Sequence, residues 1–200
     1  MSGNATNVTA GKPKTSGAVF TAPVGSTLPT DAVTAIASIS EAYKDLGYVS
    51  EDGLTESISI TTSAIKEWGG SIVLITQDEK TATFKFKLIE YLNPDVQKFA
   101  NGDANVSGSI QSGLKISVTD ADAEERVLVF WQILRGGIPL RIVVPRCKIT
   151  AIGDIVYKGN ETVAYDLTVQ AIKNDTGQYY DKYMGGASGA TGATGATGAA

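Results

Sequence analysis

Short segments with a hydrophobic period of two residues recur from residue 57 to residue 172, and this recurrence constrains the fold more than any other feature. In the clearest segment, residues 81–90, large apolar side chains occupy one face, while Thr83, Lys85 and Lys87 occupy the other. Such alternation predicts a strand with one buried and one solvated face. Turn residues, mainly glycine, separate the later segments. Strands at short, regular spacing predict a β-sandwich or barrel.

Two short helices are predicted beside these strands. Thr30 and Asp31 resemble a helix N-cap, and apolar residues follow at helical spacing until Gly47. Asn93 and Pro94 open a second helix, because proline is favoured at the first helical position. The predicted class is therefore all-β, a β-sandwich or barrel with one or two short flanking α-helices, an extended N-terminal arm and a flexible C-terminal tail.

Composition divides the chain into three parts. Residues 1–30 are rich in Gly, Ser, Thr and Pro, which predicts an extended N-terminal arm. Residues 31–173 are predicted to form the β-sandwich domain, and residues 174–200 lose the apolar pattern and predict a Gly/Ala/Thr-rich tail. The arm contains an apolar patch at Val19 and Phe20, which either docks onto another surface or packs onto its own domain.

Several residue types that enzymes and metal sites need are missing. The chain has no histidine and a single cysteine, Cys147, which excludes Ser-His-Asp triads and zinc sites of the usual Cys/His type. Glycine-rich phosphate-binding motifs are also absent. The carboxylates of residues 120–125 are expected in a solvated loop, with calcium binding a much less favoured alternative. We therefore expect no catalysis, no metal and no cofactor.

Charge and hydropathy restrict the partners of the chain. A net charge of −4 argues against a surface that grips phosphates. The first residues lack the apolar stretch of a signal peptide, and no apolar run reaches membrane-spanning length. We expect a protein that is made in a cytoplasm and does not insert into membranes.

The predicted strands indicate an incomplete sheet. The segments at 57–61 and 162–172 have one face of small hydroxyl and amide groups, which can face water. An open sheet that exposed this face would also have free strand edges available for pairing. Joining copies in a ring would remove those edges. Trp68 lies in a predicted loop beside glycines, where it could anchor an interface, offer a platform to carbohydrates or pack onto the strands.

The chain resembles the major tail tube proteins of siphophages that infect Gram-positive hosts. Five segments carry this resemblance in order along residues 8–172: GAVFTAPVGSTLPTDA (17–32), LGYVSEDGLTESI (46–58), KEWGG (66–70), TFKFKLIEYLNPDV (83–96) and RGGIPLRIVVPRCKITAIGDIVYKGNETVAYDLTV (135–169). No single segment is catalytic or diagnostic, so the ordered set carries the identification.

The resemblance implies a structural protein that assembles with itself. Six copies would form a ring whose inner strands close into one barrel, and rings would stack into a tube around a tape-measure protein, between tail terminator and distal tail proteins. Double-stranded DNA would pass through the lumen without specific binding, and the protein would belong to the virion. The N-terminal arm and the loop at residues 61–72 would make the contacts between subunits. The candidate contact residues are Val19, Phe20, Ile65, Trp68 and Ile72.

An acidic to neutral lumen would repel DNA and let it slide, whereas a basic lumen would bind its phosphates. We therefore expect Lys85 and Lys87 to point away from the lumen. The candidate lining residues are Ser57, Ser59, Asp166, Thr168 and Gln170.

Alternative functions remain open at this stage. The chain could be a β-sandwich adhesin or carbohydrate-binding module that uses Trp68, although the lack of an export signal counts against it. An enzyme with an unrecognised acidic site is less favoured still. The sequence does not separate a flexible tail from the inner tube of a contractile or phage-derived particle.

Overall fold

Antiparallel strands form most of the regular structure in the computed structural model, which describes residues 3–14 and 18–186. The strands are β1 (Gly11–Pro13), β2 (Val19–Pro23), β3 (Lys44–Asp45), β4 (Val49–Lys66), β5 (Ile72–Leu88), β6 (Val106–Ser109), β7 (Gly113–Ile116), β8 (Arg126–Leu134), β9 (Ile138–Ile152), β10 (Tyr165–Ala171) and β11 (Asp181–Met184). The helices are α1 (Ile36–Ile39) and α2 (Pro94–Asn101). The predicted all-β class with two short helices is confirmed.

One curved sheet contains all strands except the β6–β7 hairpin. Its order is β3-β2-β8-β9-β10-β5-β4, and β1 and β11 add to the edges of β8 and β9. The sheet curls onto itself, because the rings of Phe84 in β5 and Phe130 in β8 lie 5.2 Å apart although β9 and β10 separate their strands. Within the described residues the end strands β3 and β4 do not pair, so the sheet is open rather than a closed barrel.

Two hydrophobic clusters cover the two faces of β8. Leu128 and Phe130 join the inner core with Phe84, Phe86 and side chains of α2. The alternate residues of β8 contact a second cluster beneath the segment that contains α1: Val127, Val129 and Trp131. A strand buried on both faces explains why β8 is apolar almost throughout rather than alternating.

Only a short part of the helix predicted after Asp31 is present, because the buried Arg141 side chain binds this segment. Its guanidinium donates to the carbonyl oxygens of Asp31 (2.8 Å) and Thr34 (2.6 Å) and lies over the Trp131 ring. The Asp31 carboxylate in turn accepts from the backbone N–H groups of Val33 and Thr34. These carbonyl oxygens therefore accept hydrogen bonds from Arg141 rather than from the N–H groups of a helix. Between Asp31 and Gly47 only α1 is helical, which corrects the helix predicted up to Gly47.

Both chain ends contribute strands. β2 lies between β3 and β8 inside the sheet, so this part of the predicted arm packs onto its own domain. β11 pairs with β9 within the predicted tail, after a turn at residues 174–178. The repeats of the tail from residue 187 onward lie outside the described residues.

Candidate interaction surfaces

The β4–β5 hairpin extends beyond the rest of the sheet. β10 pairs with β5 only from Thr83 to Leu88, whereas β4 pairs with β5 as far as Ile72. In the part of the chain that the structure describes, residues 59–66 and 72–81 therefore have no strand partner except each other. We call these residues and their connecting turn the distal hairpin. Each of its two outer edges presents unpaired backbone N–H and C=O groups.

Apolar side chains are exposed on both faces of the distal hairpin. Ile65 lies opposite Leu74, and Ala64 lies opposite Ile75 on the other face. The exposed fractions of Ile65, Leu74 and Ile75 are 51, 53 and 61%. An apolar run such as residues 72–75 is typical of a strand covered on both faces, but in the single chain neither face is covered. Apolar area of this extent on a two-stranded ribbon is typical of a surface that a partner covers.

Trp68 lies at the turn that ends the hairpin. The turn is closed by hydrogen bonds from Gly70 N to Glu67 O and from Glu67 N to Ser71 O, both 2.9 Å long. Gly70 has a φ of 89°, which glycine adopts without strain. The Trp68 side chain is fully exposed, so it does not pack onto the strands of its own chain.

The structure separates the five contact candidates into two groups. Ile65, Trp68 and Ile72 lie together on the distal hairpin and are exposed. Val19 and Phe20 are instead buried in β2, where they contact the inner core and the second cluster, respectively. Their side chains are unavailable to another subunit, which corrects their selection as contacts; a short apolar patch in a polar segment does not show which surface buries it.

The five lining candidates share one face of the sheet. Asp166 and Thr168 lie opposite Lys87 and Lys85, and Gln170 lies opposite Thr83. On the other side of β5, Ser57 lies opposite Thr83 and Ser59 opposite Thr81. Residues directly opposite each other in antiparallel strands project to the same face. We call this surface, formed by β4, β5 and β10, the hydroxyl face.

The lysines of β5 also lie on the hydroxyl face, contrary to the prediction. The Lys85 ammonium lies 3.2 Å from the Asp166 carboxylate. The expectation that these lysines and the lining candidates occupy different faces is wrong, because the sequence defines two faces of each strand, whereas the pairing register decides which faces coincide. The hydroxyl face is therefore mixed in charge, with Lys85, Lys87 and Asp166 among hydroxyl and amide groups.

A second exposed apolar surface lies at the opposite end of β5 from Trp68. Tyr48 and Leu92 flank the point where β5 ends, and both are mostly exposed. Tyr157 reaches the same place from the loop before β10, and its hydroxyl lies 2.7 Å from that of Tyr91. Sequence reasoning missed this surface, since its members come from three loops with no common period.

Groups that could carry chemistry are engaged in structural contacts. The Cys147 thiol is buried and donates to the carbonyl oxygen of Arg126, and burial raises its pKa. Carboxylates of residues 120–125 pair with cations: Asp122 with Lys148, Glu124 with Arg126 and Glu125 with Arg146. Within residues 3–14 and 18–186, no group of three or more acidic or cysteine side chains is placed to hold a metal ion. None of the helices described here has the length and apolarity to cross a membrane.

Comparison with known proteins gives one family. The sequence model of a family described as "Phage tail tube protein" matches residues 1–190. No curated protein matches the chain. Nine chains of solved structures match, one of them in a structure entitled "Cryo-EM structure of the anti-feeding prophage (AFP) baseplate, 6-fold symmetrised". That match has 12% identity and a TM-score of 0.39, and it covers 86% of this chain and 95% of the other.

Proposed function

On the premise that the chain belongs to the phage tail tube protein family, we propose that its copies join into six-membered rings and that these rings stack into the tube through which the genome leaves the virion. The family is structural, so the protein is a tail component of a virus particle. The main support for this proposal is the exposed surface of the distal hairpin. It combines two unpaired edges with apolar side chains on both faces.

The hairpin needs neighbours on several sides at once. A ribbon of two strands is marginally stable in water, and three or more strands with a covered face are needed for independent stability. Adjacent copies would supply strands to the free edges and apolar surface to Ile65, Leu74 and Ile75. Repeating that contact around a ring closes the sheet and removes its edges.

Stacking of rings requires two different surfaces on each subunit. The Trp68 turn lies at one end of β5, and the exposed Tyr48, Leu92 and Tyr157 side chains lie at the other. Association between unlike surfaces is open-ended, as a growing tube demands. Tail terminator and distal tail proteins would then cap the two ends of the tube.

We assign the hydroxyl face to the lumen. Ser57, Thr83 and Thr168 offer small polar groups to water, and the Lys85 ammonium is paired with Asp166 rather than free for phosphates. A wall of this kind would hold a tape-measure protein during assembly and let double-stranded DNA pass without specific binding. Assembly would take place in the host cytoplasm.

Electron microscopy of the purified protein tests the proposal. We expect negatively stained rings or tubes, and an average molecular mass from light scattering that rises with protein concentration. A monodisperse monomer at millimolar concentration would overturn the proposal. If that monomer bound glycans and lost binding with Trp68→Ala, the carbohydrate-binding alternative would replace it.

A further inference from the structure

The chain segment after β10 returns to the base of the distal hairpin. β10 ends at Ala171, close to the point where its pairing with β5 stops. The chain then makes a turn in which the Asn174 side chain accepts from the backbone N–H groups of Thr176 and Gln178. β11 follows and pairs with β9. Residues 173–184 therefore connect the body of the sheet to the hairpin at the position that β10 leaves open.

This segment contacts β5 within the distal hairpin and both β4 and β5 at its base. The Tyr179 hydroxyl donates to the carbonyl oxygen of Lys80 in β5. The Tyr180 hydroxyl donates to the Glu56 carboxylate in β4, and its ring packs edge-on against Phe84 with centroids 5.2 Å apart. Glu56 and Phe84 are direct cross-strand partners, so one tyrosine spans the ribbon.

The Glu56 carboxylate is held through both of its oxygens. Tyr180 contacts Oε1, and the Lys182 ammonium lies 2.6 Å from Oε2. The Glu56 side chain is only 21% exposed, so these charge-assisted contacts are partly shielded from water. Burial and then the hydrogen bond to the Glu56 carboxylate raise the pKa of Tyr180 to about 12, because both disfavour the phenolate.

We propose that residues 173–184 are a brace that sets the direction of the distal hairpin, with Tyr179, Tyr180 and Lys182 as positioning residues for assembly; this consequence for assembly rests on the function proposed above. The brace lies on the Phe84 side of the ribbon, away from the hydroxyl face. It restricts swinging of the hairpin, while no strand of the brace pairs with either edge of the ribbon. A hairpin held in one direction loses less conformational freedom on association.

Distances between spin labels in the unassembled subunit test the brace. Labels at Ser71→Cys in the turn and Ala151→Cys in β9 would lie roughly 45 Å apart, from a rise of about 3.3 Å per residue along β5. The native Cys147 is buried, so it stays unlabelled in the folded protein.

The variant pair Tyr179→Phe and Tyr180→Phe removes two hydroxyls and keeps both rings. We expect its distance distribution to be at least twice as wide as that of the parent. Tyr183→Phe is the matched control, because within the described residues the Tyr183 hydroxyl has no hydrogen-bond partner. Equal widths for the parent and the double variant would overturn the proposal. Glu56→Gln, which keeps the size of the side chain, provides a second variant if the double variant does not fold.

Assembly measurements test the positioning role. We expect the concentration for half-maximal tube formation to rise about tenfold in the double variant, the effect of one lost charge-assisted hydrogen bond, and to stay unchanged in Tyr183→Phe. A wider distribution with unchanged assembly would overturn the positioning role. If the parent forms no tubes, the proposed function fails, whereas the label distances still decide whether the brace exists.

Discussion

The two halves of β5 differ in what surrounds them, although both are antiparallel strand paired with β4. From Thr83 to Leu88 the strand has β10 on its second edge and the inner core against one face. From Ile72 to Thr81 it has a free edge and two exposed faces. Within a single chain, the first half therefore has strand partners on both edges, whereas the second half has a strand partner only in β4. The difference indicates that the first half specifies the fold and the second half specifies the assembly.

Truncating a core residue in the first half has the largest expected effect. Phe86→Ala is predicted to lower the free energy of unfolding by about 3 to 5 kcal/mol, because it leaves a cavity among buried aromatic rings. Urea unfolding of the unassembled subunit measures this. Leu74→Ala, the counterpart in the distal hairpin, is predicted to change the same free energy by less than about 0.5 kcal/mol. Similar losses for both variants would remove the distinction between the two halves.

When assembly is measured instead of unfolding, polar substitution in the distal hairpin is expected to have a large effect. Leu74→Ser is predicted to weaken the contact between subunits by about 2 kcal/mol, which corresponds to roughly thirtyfold in concentration. Sedimentation of tubes across a dilution series gives this value. Val118→Ser is the control, since Val118 is also apolar and is 86% exposed but lies outside the hairpin. Equal weakening by both substitutions would point to a general effect on solubility.

Alkaline pH is predicted to destabilise the body of the subunit. The Tyr43 hydroxyl donates to the carbonyl oxygen of Thr27, and burial raises its pKa to about 12, against about 10 in an unfolded chain. The folded state favours the neutral phenol, so its contribution is complete below pH 10 and is lost as the pH rises toward 12. We expect the free energy of unfolding to fall by about 1 to 2 kcal/mol over this range.

Tyr43→Phe isolates that contribution. Its unfolding free energy is predicted to depend less on pH between 10 and 12 than that of the parent. The same pH dependence in both proteins would assign the alkaline transition to other tyrosines, such as Tyr180, whose pKa is also raised.

Charge reversal on the hydroxyl face has the smallest expected effect. Asp166→Lys removes the partner of Lys85 and adds a third cation beside Lys87. If this face lines the lumen, particles with the variant are predicted to keep visible tubes and to deliver DNA a few times more slowly, because phosphates bind a basic wall. Lys158→Glu, in an exposed loop, is the control for a change of surface charge. Normal delivery by Asp166→Lys would place this face elsewhere.

The sequence predicted the parts of the fold that depend on local period. The buried face of Phe84, Phe86 and Leu88 follows from their alternation, and α2 begins at Pro94 with Asn93 as its cap. The candidates Ile65, Trp68 and Ile72 lie together because they are close in the chain.

Features that depend on distant residues were not predicted. The segment after Asp31 is not a long helix, because Arg141 takes carbonyl groups more than 100 positions away in the chain. Lys85 and Asp166 share a face because of the β5–β10 register, which no single strand encodes. The apolar run at residues 72–75 is typical of a strand covered on both faces, but it does not show which chain would cover it.

Hydrogen exchange in the free and assembled protein shows whether neighbouring copies complete the distal hairpin. In the free subunit, the backbone amides on the outer edges of residues 59–66 and 72–81 should exchange rapidly, while those of β8 and β9 are protected. On assembly, we expect strong protection of these edge amides and little change in β8 and β9. Equal exchange of the edge amides in both states would show that neighbouring copies do not complete the hairpin.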